Sequence, residues 1–567
     1  MEDALNGHKS VKSAVVVSTG RNQTALLLET SAGDPSDERL IEEVWPLIEQ
    51  ENQECVQTGR LQKDMIIIVG QDKPLPRTAK GSIQKKAAIK LYKKEIDDVY
   101  DKVNSPHVTV PVTGTGLDDA SSADKAALQS RLLNALALAG MSGVAIHDDL
   151  FDKGCDSLGV VSLVRIFNSQ QGPGLSQMRL SAKDVYECGS ISRMAKRLLG
   201  VAEEETGDGR MQRIFDEMQS GLLINARPPV PAKNHGKVVV LTGSTGSLGS
   251  YLLDTLLRDE TVQEIICLNR STNSEERQLK SMKDKGLCED FSTKKTTFLL
   301  ADFTNPRLGL EVAVYRHLLE KTTDTIHNAW QVDFNVSLEH LAKTHIVGVR
   351  ELIHLSASSK HNAHIFFISS VGAVSNWKPC PEDKSSAGVP ETIIHDWTVA
   401  GSVGYSQSKL ISERLLAHAT TECNIPTTIC RVGQIGGPST GPGCWPKQEW
   451  FPSLLLSSKH VGALPTSLSA AQDVIDWTPV NDIAAIISEL LHARDSAVYH
   501  IVNPRTTTWS HLLPHLETRL GVGNVPLSRW IELVETGEAD QNPAFKLLDF
   551  FKISTEMLDL WLTQLGL

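Results

Sequence analysis

Tyr405 and Lys409 sit four residues apart in "GYSQSKLISERLL", and none of the other six tyrosines has a lysine at that spacing. In a helix that spacing puts both on one face. A phenol with a pKa near 10 gives up its proton poorly at neutral pH, and an adjacent ammonium makes that proton mobile. The pair therefore predicts proton transfer to a carbonyl oxygen. A hydroxyl that holds the same oxygen is expected at the end of the preceding apolar run, "HIFFISSVGAV". Ser370 is the candidate and Ser369 the alternative.

Such a trio needs a partner that accepts or donates a hydride, and "KVVVLTGSTGSLGSYLLDTLL" supplies a place for one. It reads as a buried strand, a glycine turn and a helix. Gly243, Gly246 and Gly249 are spaced G-x-x-G-x-x-G. With Ser244, Thr245, Ser247 and Leu248 they form a turn whose backbone could approach a pyrophosphate at the helix N-terminus. The next strand, "EIICLN", leads to Arg270, 21 residues after Gly249. An arginine there, in place of an acid, favours the 2'-phosphate of NADPH over NADH, and Arg277 is a possible helper. Two more strand ends follow, in "TFLLADFTNPRLGL" and "TIHNAWQVDFN". Asp302 and Phe303 are expected beside the adenine, and Asn328, Ala329 and Trp330 along the cofactor's path. For Trp330, core packing is an equal alternative.

Two further residues stand out upstream. In "LFDKGCDSLGVVSLVRIF" Asp156 and Ser157 precede an apolar helical run, where either could serve as an N-cap. In "KPLPRTAKGSIQKKAAIKLYKKEIDDVY" a Pro-rich turn with Gly81 carries Lys80 and Lys85, which could meet an anion or stay solvated.

The elements that must position these residues fall into three segments, 1–100, 120–200 and 236–567. The breaks are the turn-rich stretch 97–124, the acidic stretch 200–210 and the Pro-rich stretch 226–237. The first segment alternates strands ("SAVVVS", "TALLLET", "DMIIIVG") with an amphipathic helix ("DERLIEEVWPLIEQ"). The second reads as a small helical bundle built from "KAALQSRLLNALAL", the helix opening at Ser157 and "SISRMAKRLLG". A length of 567 residues exceeds what one hydrophobic core serves. A net charge of -12 argues against a nucleic-acid surface. Nine scattered cysteines without a C-x-x-C pair fit a reduced, cytoplasmic setting. The polar start "MEDALNGHKS" predicts no signal peptide, and no apolar run reaches the roughly 18 residues that span a bilayer. Neither a membrane nor a metal is expected.

The stretch around Lys80 resembles the closing signature of adenylate-forming enzymes, in the small C-terminal lobe that shuts over an acyl-adenylate. The resemblance gives Lys80 contact with the adenylate, although Gly81 is followed by Ser82 where the family has lysine and Lys80 stands one place earlier. It begins near residue 11 and leaves out the large ATP-binding lobe, so this chain alone is not expected to adenylate. "LFDKGCDSLGVVSLV" resembles acyl and peptidyl carrier domains, in which the serine, here Ser157, receives 4'-phosphopantetheine. A phosphate at a helix N-terminus meets free N–H groups and the positive end of the dipole. The third segment resembles the extended short-chain dehydrogenase/reductases throughout, and most of all the thioester reductase domains of fungal adenylate-forming reductases. "HNAWQVDFN", "RVGQIGG", "DWTPVND" and "NPAFKLLDFF" carry that likeness.

The fold class implied is multidomain α/β. It combines a small α+β adenylation lobe, a helical carrier bundle, and a reductase with a Rossmann-type doubly wound parallel sheet and a C-terminal substrate subdomain. The activity implied is NADPH-dependent reductive release of a carrier-bound acyl thioester as an aldehyde or alcohol. Ser370, Tyr405 and Lys409 are catalytic in that reading, with Tyr405 and Lys409 also touching the cofactor. The partners implied are a phosphopantetheinyl transferase and an adenylating or acyl-loading protein. Nucleotide-sugar chemistry on the same fold, or a carrier scaffold with a vestigial reductase, remain as alternatives.

Overall fold

The computed structural model describes residues 5–17, 24–30, 40–48, 61–69, 73–77, 83–96, 120–169, 178–200, 206–222, 236–379, 388–536, 542–548 and 551. Single positions and the pair 494–495 inside those spans are excepted. Lys80 and Asp156 lie outside the described residues. The chain forms two compact units, one of residues 1–203 with 538–541 and one of 204–537 with 542–567.

In the first unit, β1 (Val11–Val17) pairs antiparallel with β2 (Thr24–Thr30), and β2 pairs parallel with β3 (Leu61–Val69). Leu26, Leu27 and Leu28 of β2 are fully buried beneath helical residues that include Leu40, Val44 and Ile48. An isolated antiparallel bridge joins Arg77 to Ile83, and α1 (Lys85–Leu91) follows with Lys85 exposed.

The described residues between 120 and 200 form four helices: α2 (Ala120–Leu138), α3 (Ser157–Ser169), α4 (Ala182–Cys188) and α5 (Ile191–Leu198). Ser157 is the first residue of α3. The start of α4 is a capping box in which Asp184 N donates to Ser181 Oγ and Ser181 N donates to the Asp184 carboxylate, and Ser190 caps α5. Leu132, Leu150, Leu163, Phe167 and Ile191 close the core between them.

The second unit is built on seven parallel strands: β4 (Lys237–Thr242), β5 (Val262–Asn269), β6 (Thr297–Leu300), β7 (Asp324–His327), β8 (His364–Ser370), β9 (Thr427–Val432) and β10 (Ala497–Ile501). Their order in the sheet is β10-β9-β8-β7-β4-β5-β6. Helices cover both faces, so the central strands are apolar on both sides. Val239, Val240 and Leu241 of β4 and Phe366 and Phe367 of β8 are fully buried. The chain order reverses between β4 and β7, and a crevice opens there beyond the strands' carboxyl ends. The remaining residues pack as a separate cluster around Phe451, Trp509, Trp530 and Phe551. Trp530 is completely buried.

The unit begins earlier than sequence breaks place it. Helix α6 (Gly207–Gln219) starts inside the acidic stretch expected as linker and ends well before residue 236. Met211, Ile214 and Phe215 of α6 are buried in the same cluster as Leu410, Leu415 and Phe367.

Candidate active site and dinucleotide cradle

Strand β4 ends at Thr242, whose hydroxyl ties two strand ends together. It bonds His327 Nδ1 at 2.9 Å and accepts from the backbone N–H of Asn328 (3.1 Å) and Ala329 (3.0 Å). Gly243 follows with φ +68°, and a Cβ there would lie 2.8 Å from Ala329 Cα. Asn328 Nδ2 donates to the Gly243 carbonyl at 3.1 Å. Helix α7 (Ser247–Arg258) then opens at Gly246 with no side chain capping it, so its first N–H groups face the crevice. A Cβ on Gly249 would come within 2.0 Å of the Gly243 carbonyl oxygen, so only glycine lets helix and turn close up. Ser244 and Leu248 are buried beneath this turn, and Ser244 Oγ accepts from Asn269 Nδ2 at 3.0 Å. Thr245 and Ser247 stay partly accessible.

Arg270, at the end of β5, is exposed, as is Arg277 on the helix Ser274–Lys285. The Asp302 carboxylate is also exposed and closes its own turn, accepting from Thr304 N (2.9 Å), Thr304 Oγ1 (2.7 Å) and Asn305 Nδ2 (2.6 Å). Those bonds hold it below the usual carboxylate range. Phe303 is half-buried, 5.9 Å from the His327 ring.

Across the crevice, β8 ends at Ser370, and α8 (Gly404–Cys423) brings Tyr405 and Lys409 to the same edge. The α8 backbone can enter so closely because residue 404 is glycine. A Cβ there would sit 2.5 Å from the Val336 carbonyl. The Ser370 hydroxyl accepts from Gly372 N at 3.1 Å and lies near enough to the Tyr405 phenol to draw its pKa down. Ser369 points the other way, as strand alternation requires, and donates to Glu413 Oε1 at 2.5 Å. Of the two serines, Ser370 faces Tyr405.

Lys409 is fully enclosed. Its Nζ donates to the Ile368 carbonyl at 2.6 Å and lies 3.8 Å from the centroid of the Trp330 ring and 4.7 Å from that of Phe367. Burial pushes the Tyr405 phenol up and the Lys409 ammonium well down. The neighbouring Ser370 draws the phenol back down, and the Glu413 carboxylate draws the ammonium back up. Glu413 is itself held by Arg431, Nη2 to Oε2 2.8 Å, with both side chains inaccessible to solvent.

Sequence reasoning missed two participants. Glu413 continues the helical face of Tyr405 and Lys409 one turn on, a spacing that would have revealed it. His345 gave no such signal. It sits in a π-helical turn, Ala342–Ile346, where its Nε2 accepts from Gln331 N at 3.1 Å. Its ring stacks on Trp330 at 4.7 Å. Burial first, and then the Lys409 charge, push His345 down to about 3. Among the described residues, Trp330 Nε1 and His327 Nε2 are buried without a hydrogen-bond partner.

This geometry agrees with the relatives. Residues 241–487 match the NAD-binding family described as Male sterility protein, and residues 1–104 match the AMP-binding enzyme C-terminal domain. A carboxylic acid reductase of Neurospora crassa is 34% identical over 98% of this chain and 54% of its own length. Over nearly its whole length the chain is similar to fungal adenylate-forming reductases. One such reductase, from Serpula lacrymans, is 31% identical over 98% of this chain and 53% of its own length. The chain thus spans about half the length of the curated relatives it matches. Two solved structures share the fold. The terminal R domain of the myxalamid PKS-NRPS pathway has a TM-score of 0.52 at 24% identity over 60% of this chain and 85% of that one. An archaeal thiolation-reductase di-domain scores 0.51 at 19% identity over 81% and 95%. Among the described residues no helix is long and apolar enough to cross a membrane.

Proposed function

We propose that this chain performs NADPH-dependent reductive release of an acyl group held as a thioester on Ser157, giving the aldehyde and, by a second reduction at the same residues, the alcohol. The observation that carries this reading is that Ser370 and Tyr405 meet at the sheet edge, with Lys409 on the same helical face as Tyr405.

The residues fit a nicotinamide dinucleotide. Gly243 and Gly249 leave a cradle that a Cβ would fill, and the uncapped start of α7 faces it. Two buried donors, on Trp330 and His327, lack partners beside it. Gly243 to Gly249 would hold the pyrophosphate, Arg270 the 2'-phosphate, Asn328 and Phe303 the flanks, and Lys409 and Tyr405 the nicotinamide ribose. Asp302 would face the adenine with its backbone, since its carboxylate is engaged in its own turn. Bound NADPH supplies the hydride.

The chain's own residues do the rest. Ser370 and Tyr405 hydrogen-bond the thioester carbonyl oxygen and stabilise the negative charge that grows on it. Tyr405 Oη then delivers the proton, which the Lys409 ammonium keeps mobile, and the C–S bond of the resulting hemithioacetal breaks to free the aldehyde, its hydroxyl proton passing to the departing thiolate to give the thiol. The indole of Trp330 and the ring of Phe367 keep water from the ammonium. Ser157, at the first turn of α3, offers a phosphate the N–H groups of that turn. A phosphopantetheinyl transferase installs the arm, and an adenylating or acyl-loading partner charges it. Lys80 belongs to that partner's chemistry through the adenylate.

Intact mass after incubation with CoA and a phosphopantetheinyl transferase tests the first half of this reading. A gain of one phosphopantetheine, lost in Ser157→Ala, is expected. NADPH absorbance with a panel of acyl thioesters tests the second, and a flat trace with every thioester would overturn it.

A further inference from the structure

Helix α6 is the first element of the second unit, and it is fastened at both ends. Thr206 caps it, accepting from Gly209 N at 3.1 Å. Arg210 pairs with Glu339 at 3.2 Å, and Gln212 Oε1 accepts from Trp397 Nε1 at 2.8 Å. Phe215 packs edge-on against Trp397 and His418. The Arg414 guanidinium, from α8, lies 3.5 Å from the centroid of the Trp397 ring. Just past the far end, the Gly221 carbonyl meets His354 Nε2 at 3.0 Å.

The direction of the helix matters as much as its fastening. Its first residue, Gly207, lies against Gln407, where a Cβ would be 3.7 Å from Nε2. Gln407 is two residues from Tyr405, and its own Nε2 is tied to the Gly401 carbonyl at 2.9 Å. The chain therefore enters the reductase unit at the end of α8 that carries the reacting phenol. A helix needed only to cover Leu410 and Leu415 could run either way. Only five residues lie between Gly200, where the last carrier helix has ended, and Thr206. The six Cα-to-Cα steps from Gly200 to Thr206 reach about 20 Å when extended.

We propose that α6 is the mooring of the carrier: by pinning Thr206 and Gly207 beside Gln407, it sets the local concentration at which a Ser157-borne thioester meets Tyr405 and Ser370. This rests on the reductive-release reading above and adds to it the element that makes transfer within the chain efficient. Effective concentration falls roughly as the -3/2 power of tether length. A helix held by a hydrogen-bonded indole, an ion pair and three buried apolar side chains keeps the tether short.

The test uses the full chain, phosphopantetheinylated and acyl-loaded, in single-turnover NADPH consumption, beside steady-state consumption of the same acyl group as a soluble CoA thioester. Two variants separate the possibilities. Gln212→Ala with Phe215→Ala releases the helix. An insertion of 20 Gly/Ser residues between Glu203 and Thr206 leaves the helix intact and lengthens the tether about fourfold. Both are expected to slow carrier-borne turnover roughly tenfold and to leave kcat/KM for the soluble thioester unchanged. Carrier-borne turnover at the wild-type rate in the insertion variant would overturn the mooring. So would loss of soluble-thioester turnover in the released variant together with an unaffected insertion variant, because α6 would then serve only the fold. A wild-type chain that oxidises no NADPH with either thioester overturns the underlying reading, and the mooring with it.

Discussion

The Lys409 ammonium lies 3.8 Å from the centre of the Trp330 ring. The indole presents its negative face to a cation that has no water around it, an interaction worth about 2 kcal/mol when desolvated. Trp330 is thus neither plain core nor simply a wall of the cofactor's path, because it helps keep Lys409 charged.

Replacing that face should show in the pH profile. Burial already holds Lys409 below the ordinary lysine range, so its deprotonation sets an alkaline limit on activity. Trp330→Leu removes support for the charged form only. The alkaline limb of kcat/KM for a soluble thioester is expected to move down by roughly one pH unit, and an unmoved limb would contradict the assignment.

Tyr405 and Ser370 should separate by magnitude. Tyr405→Phe removes the proton donor and is expected to lower kcat roughly 10²- to 10⁴-fold. Ser370→Ala removes one of two donors to the growing oxyanion and should cost about 10²-fold, with KM little changed. Ser369→Ala should spare the chemistry, since that hydroxyl serves Glu413. Initial rates of NADPH oxidation distinguish the three.

His345 makes a pH prediction for stability. Its folded pKa of about 3 lies below the usual 6.5, so the unfolded chain binds its proton first as pH falls. Between pH 6.5 and 3 that favours unfolding, and the stability present above 6.5 is lost progressively as pH drops through this window. The effect should be on the order of a few kcal/mol. His345→Asn removes the titration, so its melting temperature should fall less steeply than that of wild type across the same range. Tryptophan fluorescence reports this well, since nine of the ten tryptophans belong to the second unit.

Glu413 and Arg431 are both inaccessible, and the Arg431 guanidinium also donates to the Pro390 and Thr392 carbonyls at 3.2 and 3.0 Å. Glu413→Gln strands a buried cation and should cost about 3–5 kcal/mol. Adding Arg431→Met should return part of that loss, because both charges then leave the interior together. Denaturant midpoints of the single and double variants measure the coupling.

What the sequence discloses about this site follows from how local each feature is. Gly243, Gly246 and Gly249 announce themselves because a turn that admits no Cβ is a requirement of the backbone. Tyr405 and Lys409 do so because one helical turn joins them. Trp330, His345 and Lys409 meet across three separate elements, and a one-residue π-helical irregularity aims the histidine, so no spacing foretells their contact. The turn that engages the Asp302 carboxylate is local in the same way. An aspartate followed by Thr304 and Asn305 finds its partners at home before any ligand arrives. The start of the second unit escapes a composition-based reading because Gly207–Gln219 is polar in bulk and apolar only along the stripe of Met211, Ile214 and Phe215.

That stripe bears on anyone wishing to transplant the reducing half of such a chain onto another assembly line. Cutting at the Pro-rich stretch near residue 230, where composition invites the cut, would leave Trp397 without its acceptor and bare a greasy furrow along α8. A graft that keeps its solubility and its grip on substrate has to take its first residue upstream of Thr206.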